Sequence, residues 1–157
     1  MPFIHLTTFI AAPQERVFDL SRSVALHKAS MKDHDEKNVA GTMIGLMNLN
    51  DTVTWTAKHF FKQRSLKIKI TKFQRPEHFI DEQEEGDFKI MKHEHYFKSI
   101  ENGTIMIDQF HFETPRGLIG KLINNFYLER YMTKLLQERN KMIKRAAESN
   151  LWKQYLS

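Results

Sequence analysis

The sequence predicts an α+β fold in which helices cover one face of a strongly curved antiparallel sheet. Three observations predict it. From Val39 to Thr114, short segments of alternating character follow one another between regularly spaced turn signals. After Pro115 the apolar residues recur at helical spacing. Ahead of both stand a strand-like segment and two short helical ones.

Residues 3–10, FIHLTTFI, read as the first strand by β-propensity and loose alternation. Pro13 then suits the first turn of a helix and Glu15 suits its positive end, while Val17, Phe18 and Leu20 give that helix an apolar side. Ser21 and Ser23 are candidate caps for a second short helix carrying Val24, Leu26, His27 and Met31, and the polar run Lys32–Asn38 reads as a loop. Turn signals follow at Leu49-Asn50-Asp51, Arg75-Pro76-Glu77, Glu85-Gly86-Asp87 and Glu101-Asn102-Gly103. Between them TVTWTAKHFF, SLKIKITKF, HFIDEQ, FKIMKHEHYFKSI and TIMIDQFHFET read as strands of a meander. The last element is a helix of about 30 residues, roughly 45 Å long, opening at Thr114-Pro115. Its broad stripe runs through Leu118, Leu122, Phe126, Tyr131, Leu135, Met142 and Ala146, with Ile119, Ile123, Met132, Leu136 and Ile143 beside them. A helix that long has only the sheet to lie across. If the sheet bends around it without touching it everywhere, a cavity is left.

Length and composition fit one domain over residues 1–157, long enough to bury about 70% of its unfolded surface. The net charge is +5, but Lys and Arg are interspersed with acids rather than gathered in runs, so no nucleic-acid partner is expected. Cysteine is absent, which excludes a disulfide framework, a thiol nucleophile and thiolate metal ligands. Apolar stretches are only a few residues long and the N-terminus lacks the basic and apolar regions of a signal peptide, so a cytoplasmic protein without stable membrane insertion is expected.

Strand parity orients the side chains, because lysines report the wet face. The inward sets are then Leu66, Ile68 and Ile70; Trp55, Ala57, His59 and Phe61; Met91, His93, His95 and Phe97; and Met106, Asp108, Phe110 and Phe112. Phe79, Asp81 and Gln83 would share one face of the segment before them. This list mixes large apolar groups with ionisable ones, which fits a ligand pocket better than a dry core. The other reading is a buried His–Asp network with only structural purpose.

At this point the sequence resembles a known family. The residues that carry the resemblance are APQERVFDL at 12–20, His27 with Ser30, Gly41 and Gly45, DTVTWTAKHF at 51–60, PEHFIDEQEEGDFK at 76–89 and HEHYF at 93–97, with Asp108–Pro115 and the Leu135 to Asn140 segment. In order and spacing they are similar to the SRPBCC superfamily, which includes START lipid-transfer domains, the birch pollen allergen and polyketide cyclase/dehydrase-like proteins, and most of all to its small stand-alone bacterial ligand-binding members. The resemblance spans essentially the whole chain. It implies the helix-grip fold: a seven-stranded antiparallel sheet gripping the C-terminal helix over a hydrophobic cavity. The allergen-type members carry a glycine-rich loop between their second and third strands; here that position reads Leu-Asn-Asp, so no phosphate-cradling role is carried over.

The chemical candidates are weighed on the same residues. His93 and His95 lie at i and i+2 on one face, about 7 Å apart. That spacing permits shared metal ligation with Asp108 or His59, but a hydrogen-bonded pair is the expected state, and no metal or cofactor is assigned. A His–Asp pair also suits general acid/base work, while no nucleophile elbow, P-loop or dinucleotide fingerprint is present. Arg139 to Arg145 reads as the solvated face of the helix, with contact to anionic headgroups as the alternative. The expectation is binding or transport of a hydrophobic small molecule, lipid, quinone or polyketide-like. Trp55, Phe61, Phe79, Met91, Phe97 and Phe110 would form the apolar wall. His59, His93, His95 and Asp108 would hold the polar end, and His27 would stand at the mouth. The alternative is a cyclase/dehydrase-type enzyme using a pocket histidine. No catalytic residue is assigned, and the oligomeric state is open.

Overall fold

The computed structural model describes residues 3–34, 36–59, 62–114 and 125–156. In chain order these form β1 (Phe3–Ile10), α1 (Gln14–Ser21), α2 (Val24–Ser30), a 3-10 turn (Lys32–His34), β2 (Lys37–Gly41) and β3 (Thr52–His59). They continue with β4 (Lys62–Gln74), β5 (His78–Glu85), β6 (Ile90–Ile100), β7 (Gly103–Glu113), α3 (Asn125–Ala147) and α4 (Trp152–Leu156). The strands make a seven-stranded antiparallel sheet in the order β1-β7-β6-β5-β4-β3-β2. From β2 to β7 each strand pairs with the next, as the turn signals imply. β1 joins beside β7, in register from Phe3 opposite His111 to Ile10 opposite Thr104. The two short helices therefore carry the chain from one edge of the sheet to the other. Register shifts in the β4–β5 pair, between Lys67 and Ile68 and between Ile70 and Lys72, add the local twist that curves a sheet.

Local chemistry sets the helix starts. Pro13 stands just before α1 with extended backbone, φ −61° and ψ 147°, rather than in its first turn. Its fixed φ serves the approach to the helix, and Glu15 takes the first turn as expected. Ser23 caps α2 by accepting the Leu26 N–H at 3.2 Å, whereas Ser21 ends α1 and donates its hydroxyl to Val17 O. The run expected as a loop, Lys32–Asn38, contains the 3-10 turn and the start of β2. β2 is an edge strand with mostly exposed side chains, so it has no apolar alternation to read; pairing with β3 makes it a strand.

Gly41 ends β2 at φ +80°, and a Cβ there would stand 2.1 Å from Thr52 O, next to the Thr42 N–H to Thr52 O bond. Gly41→Ala is expected to cost about 2 kcal/mol, combining left-handed strain with the clash, and to lower the thermal midpoint by several degrees. An unchanged midpoint in a thermal melt would mean that β2 is not seated on β3 in this way.

α3 is 23 residues long, about 35 Å. The expected helix start at Pro115 and the stripe residues Leu118, Ile119, Leu122 and Ile123 lie outside the described residues. Phe126, placed on the stripe by spacing, is 69% exposed, and Leu128 is buried in its stead against Ile4 and Phe112. Spacing admits either phase at a helix end; packing on the sheet decides. After Ala147 the chain turns and adds α4, which the stripe did not announce. α4 docks on α1, with the Arg16 guanidinium 4.3 Å above the Trp152 ring.

The interior is divided. One apolar cluster joins α1 and α2 to Ile10, Val53, Phe79, Phe97, Met106 and Ile143. A second gathers Ile4, Met91, Phe110, Phe112, Leu128 and Leu136. Along β6, β7 and α3 the switch from one cluster to the other falls at polar residues: His93 and His95, Asp108, and Arg139 with Asn140.

Candidate functional site

α3 packs against β1, α1 and α2. Over the central strands the sheet curves away, leaving a cavity of about 220 Å³. Parity fixes its wall. Trp55, Ala57 and His59 of β3, Leu66, Ile68 and Ile70 of β4, Phe79 and Asp81 of β5, Met91, His93 and His95 of β6, and Phe110 of β7 line one side. Leu128, Tyr131, Met132, Leu135, Leu136 and Arg139 of α3 line the other, and His27 and Met31 close the α2 side.

Eight of the expected site residues thus stand on this wall: Trp55, His59, Phe79, Met91, His93, His95, Phe110 and His27. Phe61 lies outside the described residues. Phe97 points inward but into packed core, edge-on to Phe18 at 5.1 Å and parallel to Phe79 at 6.0 Å, so it is not a wall residue. Asp108 is 0% exposed and sits behind His93 rather than on the cavity surface. Parity gives the face of a strand, not the depth of a side chain.

The polar belt is knitted diagonally across the sheet. Register sets Asp81 opposite His93 and Asp108 opposite His95. The hydrogen bonds cross over. His95 Nε2–H donates to Asp81 Oδ2 at 2.6 Å, and His93 Nε2–H donates to Asp108 Oδ1 at 2.7 Å. Diagonal neighbours lie within reach of long side chains. The two imidazoles stack, with centroids 3.7 Å apart, and Phe79 stacks on the far side of His95 at 4.0 Å. From α3, Asn140 Nδ2 donates to Asp108 Oδ2 at 2.7 Å. Arg139 donates from Nη1 to Asp108 Oδ1 and Asn140 Oδ1, and from Nη2 to Ser21 O and His95 Nδ1.

These contacts set the charges. Burial pushes the His95 pKa down from 6.5 to about 3, with the charge of His93 adding to the effect and only partly offset by Asp81. His95 is therefore neutral at pH 7, with its proton on the nitrogen facing Asp81 and its lone pair toward Arg139. Burial alone would raise the Asp108 carboxyl; the hydrogen bond from His93 and the charges of His93, Arg139 and His95 outweigh it and hold Asp108 well below the usual carboxylate range. Asp81 is likewise lowered, burial being overcome by its bond from His95 and the neighbouring charges.

Polar groups also stand at the β3–β4 end of the cavity. His59 Nδ1 and the Tyr131 hydroxyl are 2.7 Å apart, and His34 lies beside them with its ring centroid 5.0 Å from that of His59. Burial, then the charge of His34, lowers the His59 pKa. His27 stacks on Trp55 at 4.6 Å and brings Nε2 within 2.7 Å of the buried Glu36 carboxylate.

Sequence reasoning missed Arg139, Asn140, Tyr131 and Glu36 as parts of this constellation. The first three carry a signal. Arg139 and Asn140 lie three and four residues after Leu136 and four and three before Ile143, and Tyr131 lies three after Leu128, so all three are on the inward face. Arg139 is consequently buried and cannot reach a membrane surface, which corrects the reading of 139–145 at its first residue. Glu36, in an irregular segment, has no such periodic signal.

Asp81, His93 and His95 each place one nitrogen or oxygen within 4.8 Å of the others, and among the described residues they are the set that could hold an ion. The expected third member was Asp108 or His59; both are committed elsewhere, to His93 and Tyr131. Both ring nitrogens of His95 are engaged, by Asp81 and Arg139, so ligation through it would break one of these bonds. No helix among the described residues is long and apolar enough to cross a membrane.

No family model matches this sequence, and no curated protein matches it. Solved structures match over nearly the whole chain. TTHA0849 from Thermus thermophilus superposes with a TM-score of 0.69 at 17% identity, covering 93% of this chain and 99% of that one. Ginseng major latex-like protein 151 from Panax ginseng gives 0.67 at 12% identity, with 94% and 97% covered. Protein CV1439 from Chromobacterium violaceum gives 0.70 at 11% identity, with 94% and 98% covered. At these identities the likeness is one of fold, and the fold is the helix-grip fold of the superfamily that the sequence resembles.

Proposed function

We propose that this chain binds a hydrophobic small molecule, a lipid, quinone or polyketide-like compound, between the sheet and α3. The observation that carries the reading is the cavity. Protein interiors are packed like organic crystals. About 220 Å³ of space walled by Trp55, Leu66, Ile68, Met91, Phe110 and Leu136 gives up that packing at a cost in stability. A largely apolar hollow with a few convergent polar groups is the usual form of a ligand site. The helix-grip fold, which by the sequence resemblance implies a hydrophobic cavity, supports the same reading.

Ala57→Phe tests it. Ala57 is a buried wall residue, and a phenyl ring there would occupy the hollow. Binding of an uncharged apolar fluorescent probe such as N-phenyl-1-naphthylamine is expected to weaken at least tenfold, with the thermal midpoint kept or raised. Undiminished probe binding in a folded variant would sink the cavity as the site. Solvent extraction of the denatured purified protein, followed by mass spectrometry, would identify a retained ligand.

One observation favours a second reading, an enzyme of the cyclase or dehydrase type. The His93–Asp108 pair has the arrangement of an oriented imidazole, its carboxylate buried and itself fixed by Asn140 and Arg139. With Nε2 bonded to Asp108, Nδ1 is the nitrogen left to exchange a proton with a ligand. Turnover of a carbonyl substrate that falls about 10²-fold or more in His93→Phe would establish it; binding without turnover would leave the carrier reading.

A further inference from the structure

The inner end of the cavity bears a chemical preference that follows from which hydrogen-bonding atoms are already spent. On the belt, Asp81 Oδ2 is taken by His95, His95 Nδ1 by Arg139, and both Asp108 oxygens by His93, Arg139 and Asn140. The two terminal nitrogens of Arg139 are engaged too: Nη1 on Asp108 and Asn140, Nη2 on Ser21 O and His95. Of the carboxylate oxygens of the belt, Asp81 Oδ1 is the one that makes no hydrogen bond among the described residues, and Asp81 stands on the cavity wall. It is not sealed off, since the one fully buried side-chain atom without a hydrogen bond among the described residues is Glu36 Oε1. As a carboxylate oxygen it can only accept.

An open oxygen on an ionised aspartate wants a donor from the ligand. A hydroxyl or an ammonium supplies O–H or N–H to it. A carboxylate or phosphate would turn lone pairs toward lone pairs and bring a second negative charge up to Asp81 in a water-poor space. We propose that the inner end of this cavity selects an apolar molecule carrying a hydrogen-bond donor, a hydroxyl or ammonium, over the carboxylate on the same skeleton. The inference rests on the cavity being a ligand site and adds the chemistry of its polar end.

A matched series tests it on the full chain: naphthalene, 2-naphthol, 2-naphthylmethylammonium and 2-naphthoate, with affinities read from calorimetry or from quenching of the tryptophan fluorescence. Naphthol or the ammonium is expected to bind at least tenfold more tightly than naphthoate, a size of preference that polar sites reach against a mismatched group. In Asp81→Asn that ratio should fall below about threefold while naphthalene, which has no polar group, keeps its affinity. Naphthol stronger than the ammonium would specify a neutral hydroxyl, and the reverse a cation; both support the proposal. Naphthoate binding as well as the two donors, or a ratio that Asp81→Asn leaves unchanged, would overturn it. If Asp81→Asn does not fold, the ratio in the unvaried chain still decides. If naphthalene and all its derivatives fail to bind, the ligand site itself is refuted and the selectivity falls with it.

Discussion

Asp108→Ala is expected to lower the midpoint of thermal unfolding by about 10 °C or more, the largest effect of any single substitution in the inner layer. The reason is what it leaves behind. Asp108 is fully buried and receives His93 Nε2–H at 2.7 Å, Asn140 Nδ2–H at 2.7 Å and Arg139 Nη1–H at 3.4 Å. Removing the carboxylate strands a buried guanidinium, an imidazole N–H and an amide at once. Breaking one side of a buried ion pair costs about 3–5 kcal/mol, because the remaining charge is uncompensated. Asp108→Asn is the informative companion: it keeps the volume and one acceptor oxygen, so it should fall between the two. A loss of less than about 3 °C in Asp108→Ala, by circular dichroism melts at pH 7, would show that Arg139 and His93 reach other partners and that the belt does not join α3 to the sheet.

This cluster also marks where the sequence is legible and where it stops. Lysines on one face of β3, β4 and β6 make the opposite face readable, so Trp55, Ile68, His93 and His95 could be aimed inward from their neighbours alone. That α3 grips the sheet follows from its length and apolar stripe. What alternation cannot carry is the third coordinate. Phe97 and Asp108 share parity with wall residues, yet one is core and the other lies behind His93. Arg139 stood hidden for another reason: in a run with Lys141, Lys144 and Arg145 it looks solvated, and only its phase relative to Leu136 and Ile143 shows that it turns inward. The pairings His95–Asp81 and His93–Asp108 are diagonal, set by the β5–β6–β7 register, which no single strand encodes. Edge strand β2 escaped because an edge needs no buried face.

The same belt makes stability fall steeply on the acid side. His95 takes up a proton near pH 6.5 in the unfolded chain but only near 3 when folded, burial being the main cause and His93 the next. Between those values the unfolded state binds more protons, so stability is full above pH 6.5 and is lost as the pH falls toward 3. His59, lowered by burial and by His34, acts in the same direction. The lowered carboxyls of Asp108 and Asp81 contribute stability that is present above pH 3.8 and lost below it. Two phases are expected in a pH series of urea unfolding. The first, between about pH 6.5 and 4, belongs to histidine, with a slope of up to about 1.4 kcal/mol per pH unit for one proton. The second, below pH 4, belongs to the carboxylates. His95→Gln separates them. It is less stable at pH 7, since Asp81 and Arg139 lose a fitted partner, but its curve between pH 6.5 and 4 is flatter by the share of one titrating group, while the phase below pH 4 persists. Parallel curves for the two proteins across pH 6.5 to 4 would mean that His95 protonates in the folded state as readily as in the unfolded one. That could happen only if water reaches the space between Phe79 and His93, where the stacked rings leave no room for it.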